Sequence, residues 1–183
     1  MNIHFKAKLK TFWILNKTKR KAKRAALISD FYRNNVIKQA KSVGRNLYVG
    51  GESFVNANTV LGDHVSMNGL RIDGEGKVKI GRFFHSGREV LIIAQNHNYE
   101  GAAIPYDETY VYKDIEIGDF VWIGSRVMIL PGTKIGEGAI IQGGAVVHGT
   151  IPPYAIAGGN PAKVFKYRNA EHFQKLKAKG KFH

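Results

Sequence analysis

Seven side chains in this sequence could exchange a proton near neutral pH: His4, His64, His85, His97, His148, His172 and His183. Cysteine is absent, which excludes thiol nucleophiles, disulfide frameworks, zinc–thiolate sites and iron–sulfur clusters. Only His97 stands at a break in pattern, where a regular six-residue repeat ends and an irregular stretch, 98–114, begins. A histidine there could act as a general base, worth on the order of 10²–10⁴ in rate. On position alone it reads equally well as a structural residue. The stretch after it carries Tyr99, Tyr106, Tyr110 and Tyr112, rings that could stack on sugars or clamp the segment down.

The element that must position His97 is the repeat itself. From Ile117 the chain divides into IGDFVW, IGSRVM, ILPGTK, IGEGAI, IQGGAV and VHGTIP. Upstream the same division gives first positions at Val49, Val55, Leu61 and Met67, then at Ile80, Ser86 and Ile92. Of these first positions only Ser86 is not apolar, and the fifth positions from Val121 onward are Val127, Thr133, Ala139, Ala145 and Ile151. A period of six suits neither an α-helix nor a hairpin sheet. It suits a triangular coil whose turns stack as parallel strands, with one aliphatic residue per hexad pointing to the axis. Glycine recurs at second positions such as Gly81, Gly118 and Gly124, where a tight corner needs an unhindered backbone. With three hexads per coil, the repeats predict a little over four coils. The pattern breaks twice: an insert at Gly74-Glu75-Gly76 shifts the phase by one residue, and 98–114 leaves the coil as an extruded loop.

Charge divides the chain in the same places. Residues 1–46 hold 13 Lys/Arg and one acid, 47–160 hold eight and twelve, and 161–183 hold seven and one, so the net charges +12, −4 and +6 sum to the overall +14. The expected organisation is therefore a basic helical arm (1–46), a β-helix body (47–160) and a basic tail with a short helix (161–183). In the arm, Phe5, Leu9, Phe12 and Trp13 recur at helical spacing ahead of a basic run from Lys17 to Arg24, and a second helical stretch carries Leu27, Ile28, Phe31 and Tyr32. Residues 1–24 could bind an anionic membrane surface, or the aromatics could pack on the body or a sister subunit. The body offers no helix-turn-helix, RNP or zinc-finger pattern, which argues against nucleic acid. The longest apolar run near the start, Phe12-Trp13-Ile14-Leu15, is too short for a signal-peptide core or a span. The reading is a soluble, cytoplasmic protein, peripheral to the inner face of the membrane if the arm binds lipid.

Repeat, loop and motifs together resemble the hexapeptide-repeat acyltransferases over residues 47–168. The run Trp122 to Lys166, with Pro152-Pro153-Tyr154-Ala155-Ile156 and Gly158-Gly159-Asn160-Pro161-Ala162-Lys163, is similar to the C-terminal half of maltose, galactoside and capsular polysaccharide O-acetyltransferases. Asn96-His97-Asn98-Tyr99 and Ile104-Pro105-Tyr106-Asp107 are closer to the polysaccharide branch. The resemblance implies a mainly β fold, a left-handed parallel β-helix, and a homotrimer with clefts between subunits. It further implies acetyl-CoA as cosubstrate, no metal, and a sugar or glycan acceptor, free or lipid-linked. Carried over residue by residue, His97 matches the catalytic base, with His85 its reserve or hydrogen-bonded neighbour. Asn68 and Asp73 match polar residues of the acceptor pocket, either of which could be merely a corner residue, and Tyr99 and Tyr106 join them from the loop. Trp122 matches the tryptophan by the thioester, and the Ser125 N–H matches the donor to its oxygen. Gly143, Gly144, His148 and Gly149 would border the coenzyme arm, and Lys163 and Lys166 its phosphates, where lysine lacks the bidentate fork of arginine.

Moving an acetyl group from a thioester to a hydroxyl needs a base, an oxyanion donor and a slot for the arm, and neither metal nor cysteine. The same fold houses γ-class carbonic anhydrases, whose three-histidine zinc site includes a pair five residues apart. Here successive histidines are 60, 21, 12, 51, 24 and 11 residues apart, so that pair is missing. Two rivals stay open: an N-acetyltransferase of an amino sugar, and a non-catalytic β-helix that binds membranes or polyanions through its basic ends.

Overall fold

The computed structural model describes the backbone from residue 3 and side chains from residue 16 onward. The chain winds into a parallel β-helix with three sides. One side is a six-stranded parallel sheet running from Ser42–Val43 to Thr150–Ile151. The second stacks six parallel strands from Tyr48–Gly51 to Ala155–Gly158 and adds Lys163–Tyr167 antiparallel at its end. The third has four strands, Leu70–Asp73, Val90–Ile93, Met128–Ile129 and Val146–Val147. The stack is thus about six coils deep rather than a little over four. The additional coils are those that begin at Ser42, inside the segment read as the arm, and that end at Gly158.

Register explains how the repeat makes this shape. Glu116 pairs with Lys134, Trp122 with Ile140 and Met128 with Val146, an offset of 18 residues, or three hexads, on every side. All thirteen first positions are buried, including Ser86, and the fifth positions Val121, Val127, Thr133, Ala139 and Ala145 are buried with them. The axis is therefore filled by two residues per hexad. The one polar fifth position, Thr133, is satisfied because its Oγ1 donates to the carbonyl of Leu130 at 2.6 Å.

Two details correct the hexad frame. The one-residue shift near Gly74 is the sum of two changes: Ile72 takes the inward place five residues after Met67, and Ile80 takes the next place eight residues later. The last coil is also short. Ile135 pairs with Ile151 and Ile141 with Ala157, offsets of 16, so Ile151 occupies a first position and not the fifth position expected of it.

α1 (Ile3–Gln39) is one continuous helix where two helical stretches were expected. At 1.5 Å per residue it is about 55 Å long. Its C-terminal end closes the first coil: Val36 is fully buried, Tyr32 and Ala40 pack against the core, and Gln39 Oε1 accepts from the Val55 N–H at 2.9 Å. This covers what would otherwise be an open parallel edge. Leu27, Ile28 and Phe31 do not join it and stay exposed, as do Lys17 to Arg24. The stripe expected from Phe5, Leu9, Phe12 and Trp13 lies outside the side chains described. Among the described residues no helix is long and apolar enough to cross a membrane.

α2 (Ala170–Ala178) follows the antiparallel pair at the other end, capped by Asn169, whose side chain accepts from the His172 N–H. It stops at Gly180 (φ +62), with the Lys181 N–H donating to the Leu176 carbonyl and the Gly180 N–H to that of Lys177, a Schellman-type ending. This turn sends the last residues back onto the β-helix.

Candidate functional site

His97 ends the strand Gln95–His97, which leaves the third side and pairs antiparallel with Tyr110–Tyr112. The extruded loop is therefore a hairpin with its own small sheet. Tyr110 is the register partner of His97, and the imidazole is exposed. The Tyr106 ring stacks on it at 3.8 Å between centroids and 17° between planes, and Tyr110 leans on it at 4.9 Å. Of the alternatives for the loop tyrosines, these two act as the clamp, on the histidine itself. Tyr99 is exposed and leaves its ring free for a ligand.

One carboxylate holds the loop in shape. Asp107 accepts from the N–H of Ala102 at 2.8 Å and of Thr109 at 2.9 Å, and from the Thr109 hydroxyl. The Thr109 hydroxyl first, and then the two N–H groups, hold the Asp107 carboxyl below the usual carboxylate range. Asn98 ties the base of the loop, with its N–H donating to the Thr109 carbonyl and its side-chain amide donating to the Thr109 hydroxyl, both at 3.1 Å.

Trp122 and Ser125 lie elsewhere. Trp122 projects outward from the second side, between His85 on the preceding coil and Ile140 on the next, and is 57% exposed. Ser125 sits at the following corner. Its hydroxyl accepts from the Arg88 N–H at 3.0 Å and its carbonyl from the Gly144 N–H at 2.9 Å, while its own N–H has no partner among the described residues. The neighbouring coils must come close here: a Cβ at Gly87 would stand 2.4 Å from Ser125 Oγ, and one at Gly143 3.0 Å from the Ser125 carbonyl. Gly143 is thus glycine because the backbone above it presses close. Gly144 and Gly149 differ, with φ of +76° and +70° and open space within 4 Å of a Cβ. His148 is exposed beside them, and Lys163 and Lys166 stand exposed on the antiparallel strand, without an ion pair among the described residues.

Asn68 and Asp73 both have structural work. The Asn68 amide donates to the Ser86 carbonyl on the next coil at 2.9 Å, and Asp73 accepts from Arg71 at 2.6 Å. Asp73 pairs in register with Ile93, at the root of the strand that ends in His97; Asn68 is at the corner before it.

Within one chain, then, His97 belongs to the exit of the third side while Trp122, Ser125 and His85 belong to the second. No contact joins the two groups among the described residues.

Sequence reasoning missed the corner beside Trp122. His64, Phe83 and Phe120 occupy one corner on successive coils, all with φ between +54° and +59°, a conformation bulky residues rarely take. Their rings stack at 4.5 Å (His64–Phe83) and 4.9 Å (Phe83–Phe120). Beside each ring, Asp63 and Asp119 bind Arg45 and Arg82 bidentately, and Arg45 holds the Asp63 carboxyl below its ordinary value. α2 and the residues after it dock on this stack. Phe173 meets Phe120 edge-on, Phe182 lies 4.5 Å from Phe83, and Arg168 rests over Phe173 at 4.8 Å. Burial depresses the Arg168 guanidinium, which donates to the Gly138 carbonyl. The His85 ring meets the His183 main-chain oxygen at 3.2 Å. Between α2 and the second side a cavity of about 470 Å³ remains, with Trp122 and His85 in its wall. The signal was present in the sequence: these positions are spaced 19 and 37 residues apart, as are Ser66, His85 and Trp122 on the adjoining strands.

Among the described residues no group of three or more His, Asp or Glu side chains gathers as a metal site would require. Residues 114–149 match the family model described as "Bacterial transferase hexapeptide (six repeats)". A chloramphenicol acetyltransferase of Escherichia coli is 32% identical over 160 residues, 79% of this chain and 74% of that protein. A protein of Escherichia coli strain K12 named as a putative lipopolysaccharide biosynthesis O-acetyl transferase is 31% identical over 129 residues, 66% of this chain; the match spans 63% of its length, under two thirds. A galactoside acetyltransferase solved in complex with coenzyme A has the same fold, with a TM-score of 0.57 and 24% identity over 75% of this chain and 70% of that one. The hexapeptide match and a relative aligned along three quarters of its length agree: the chain belongs to the hexapeptide-repeat acetyltransferases.

Proposed function

We propose that this chain is an acetyl-CoA-dependent O-acetyltransferase that acts, as a homotrimer, on a sugar hydroxyl in surface-polysaccharide or lipid-linked glycan assembly. The observation that carries the reading is the presentation of His97. An exposed imidazole is held against two tyrosine rings at the mouth of a stapled hairpin, on a different side of the prism from Trp122 and from the Ser125 N–H, which has no partner among the described residues. A neighbouring copy would bring Trp122 and Ser125 to face it. The glycan acceptor is favoured by the relative named for lipopolysaccharide O-acetylation.

In the reaction, a ring nitrogen of His97 takes the proton of the acceptor hydroxyl as its oxygen attacks the thioester carbonyl carbon. The Ser125 N–H donates to the oxyanion, which lowers the barrier because the donor is already in place. Collapse breaks the carbon–sulfur bond, and the proton on His97 passes to the departing thiolate, so the imidazole is regenerated with each turnover. Gly144 and Gly149 leave room for the pantetheine arm, His148 and Gly143 border it, and Lys163 and Lys166 offer charge to its phosphates. Tyr99 and the free oxygen of Asp73 contact the acceptor. Residues 1–24 hold the enzyme at an anionic membrane surface at the cytoplasmic face, where a lipid-linked acceptor would be reached.

The test is thiol release from acetyl-CoA with a panel of sugars, amino sugars and chloramphenicol, comparing wild type with His97→Ala. Turnover that falls about 10²–10⁴-fold in the variant supports the mechanism; a variant as fast as wild type overturns it. Turnover with an amine alone would move the activity to N-acetylation, and turnover with chloramphenicol alone would replace the glycan acceptor.

A further inference from the structure

We infer that the cavity between α2 and the second side is an acyl-chain site, so that the enzyme accepts thioesters with chains longer than acetyl. This rests on the reading that Trp122 borders the thioester. The cavity holds about 470 Å³ and shares Trp122 with the candidate site, so a chain extending past the indole enters it without crossing the β-helix. Its wall is mainly apolar, with Phe83, Phe120, Ile140, Leu176 and Phe182 joining Trp122, while Arg168, Lys177 and Lys181 contribute cationic groups to the same lining. Ile140 is the outward neighbour of Trp122 on the next coil, and Phe182 roofs the space from the segment that Gly180 turns back.

Two features show that the space is built. Phe83 and Phe120 adopt left-handed backbone conformations, φ +54° and +59°, where glycine or asparagine would cost less. Their rings form the floor. The C-terminal segment then closes over that floor through Phe182, 4.5 Å from Phe83 and 5.2 Å from Phe120, and yet does not fill the volume beside Trp122. An acetyl group has no carbon to reach the cavity. Each methylene that does reach it gains about 0.8 kcal/mol on leaving water, roughly fourfold in affinity.

The experiment is calorimetric binding of acetyl-CoA and hexanoyl-CoA to the full chain, which needs no knowledge of the acceptor. Hexanoyl-CoA should bind at least about tenfold more tightly than acetyl-CoA. In Leu176→Trp, which places an indole in the cavity, that ratio should fall to near one. Ile140→Trp is the second variant: its side chain points outward while Ile141 keeps the core, so the β-helix tolerates it. Acetyl-CoA binding with equal or weaker binding of hexanoyl-CoA overturns the inference, as does a preference that both variants retain. A chain that binds neither thioester defeats instead the coenzyme reading on which the inference stands.

Discussion

The coils and the extruded loop are built on opposite principles, although His97 belongs to both. In the coils, each inward residue repeats its neighbour one coil away. Ile117, Ile123, Ile129, Ile135 and Ile141 are all buried, and each of the strands that carry them is hydrogen-bonded on both sides. Such an element is redundant, because losing one contact leaves the coils above and below intact. The loop has no such redundancy. It buries no apolar core, its tip residue Ile104 is 99% exposed, and its shape depends on Asp107, Asn98 and two tyrosine rings. The coils supply rigidity over a long distance, and the loop supplies a single placement at one point. The base proposed at His97 would draw on both.

This contrast can be broken from either side. The largest effect expected is on the coils: Ile129→Ala removes a fully buried side chain and should cost about 2–5 kcal/mol in denaturant unfolding. A cost under about 1 kcal/mol would mean that the axis repacks. In the loop, Asp107→Asn keeps the size of the side chain but loses the charge that gathers three donors. Turnover should fall about tenfold, since small misplacements of a catalytic group are costly, while the unfolding midpoint stays where it is. A shifted midpoint would tie the loop to the core. Tyr106→Leu removes the ring on His97 and should cost a few-fold in kcat, as expected for an aromatic contact of about 0.5–1.5 kcal/mol; Tyr106→Phe should restore the rate. If Leu and Phe behave alike, the stacking does no catalytic work.

The smallest effect is on pH. Asp107 is held below its ordinary value in the folded loop, so its contribution is complete above about pH 4, the unfolded aspartate range, and is lost only as pH falls through the depressed value. The Thr109 amide resonance should therefore be constant near neutrality and move only in acid. A change centred near pH 6 would assign the loop's stability to a histidine instead.

The coils were legible in the sequence because burial there depends on one number, the position within six. The thirteen first positions needed no tertiary information, and the departures, a short corner after Met67 and a last coil of 16 residues, are places where the chain compensates locally for the period. The loop was legible only as an interruption. That Asp107 would gather Ala102 and Thr109, and that Tyr106 and Tyr110 would hold His97 while Tyr99 stays free, depends on how a hairpin closes, and no periodicity encodes it. The aromatic corner is intermediate. His64, Phe83 and Phe120 fall into line once the insert and the loop are subtracted from their spacing, but their left-handed backbone and the docking of Phe173 and Phe182 on them are not written in residue types.

The sequence alone determined the repeat, the inward residues, the exit point of the loop at His97 and the separation of charge into two basic ends and an acidic body, because each follows from patterns local along the chain. Only the tertiary structure decided that α1 closes the first coil through Val36, that His97 and Trp122 stand on different sides of one prism, and that α2 leaves a cavity beside Trp122. These depend on which surfaces remain uncovered after the coil has closed, and that is settled by three-dimensional packing between segments far apart in sequence.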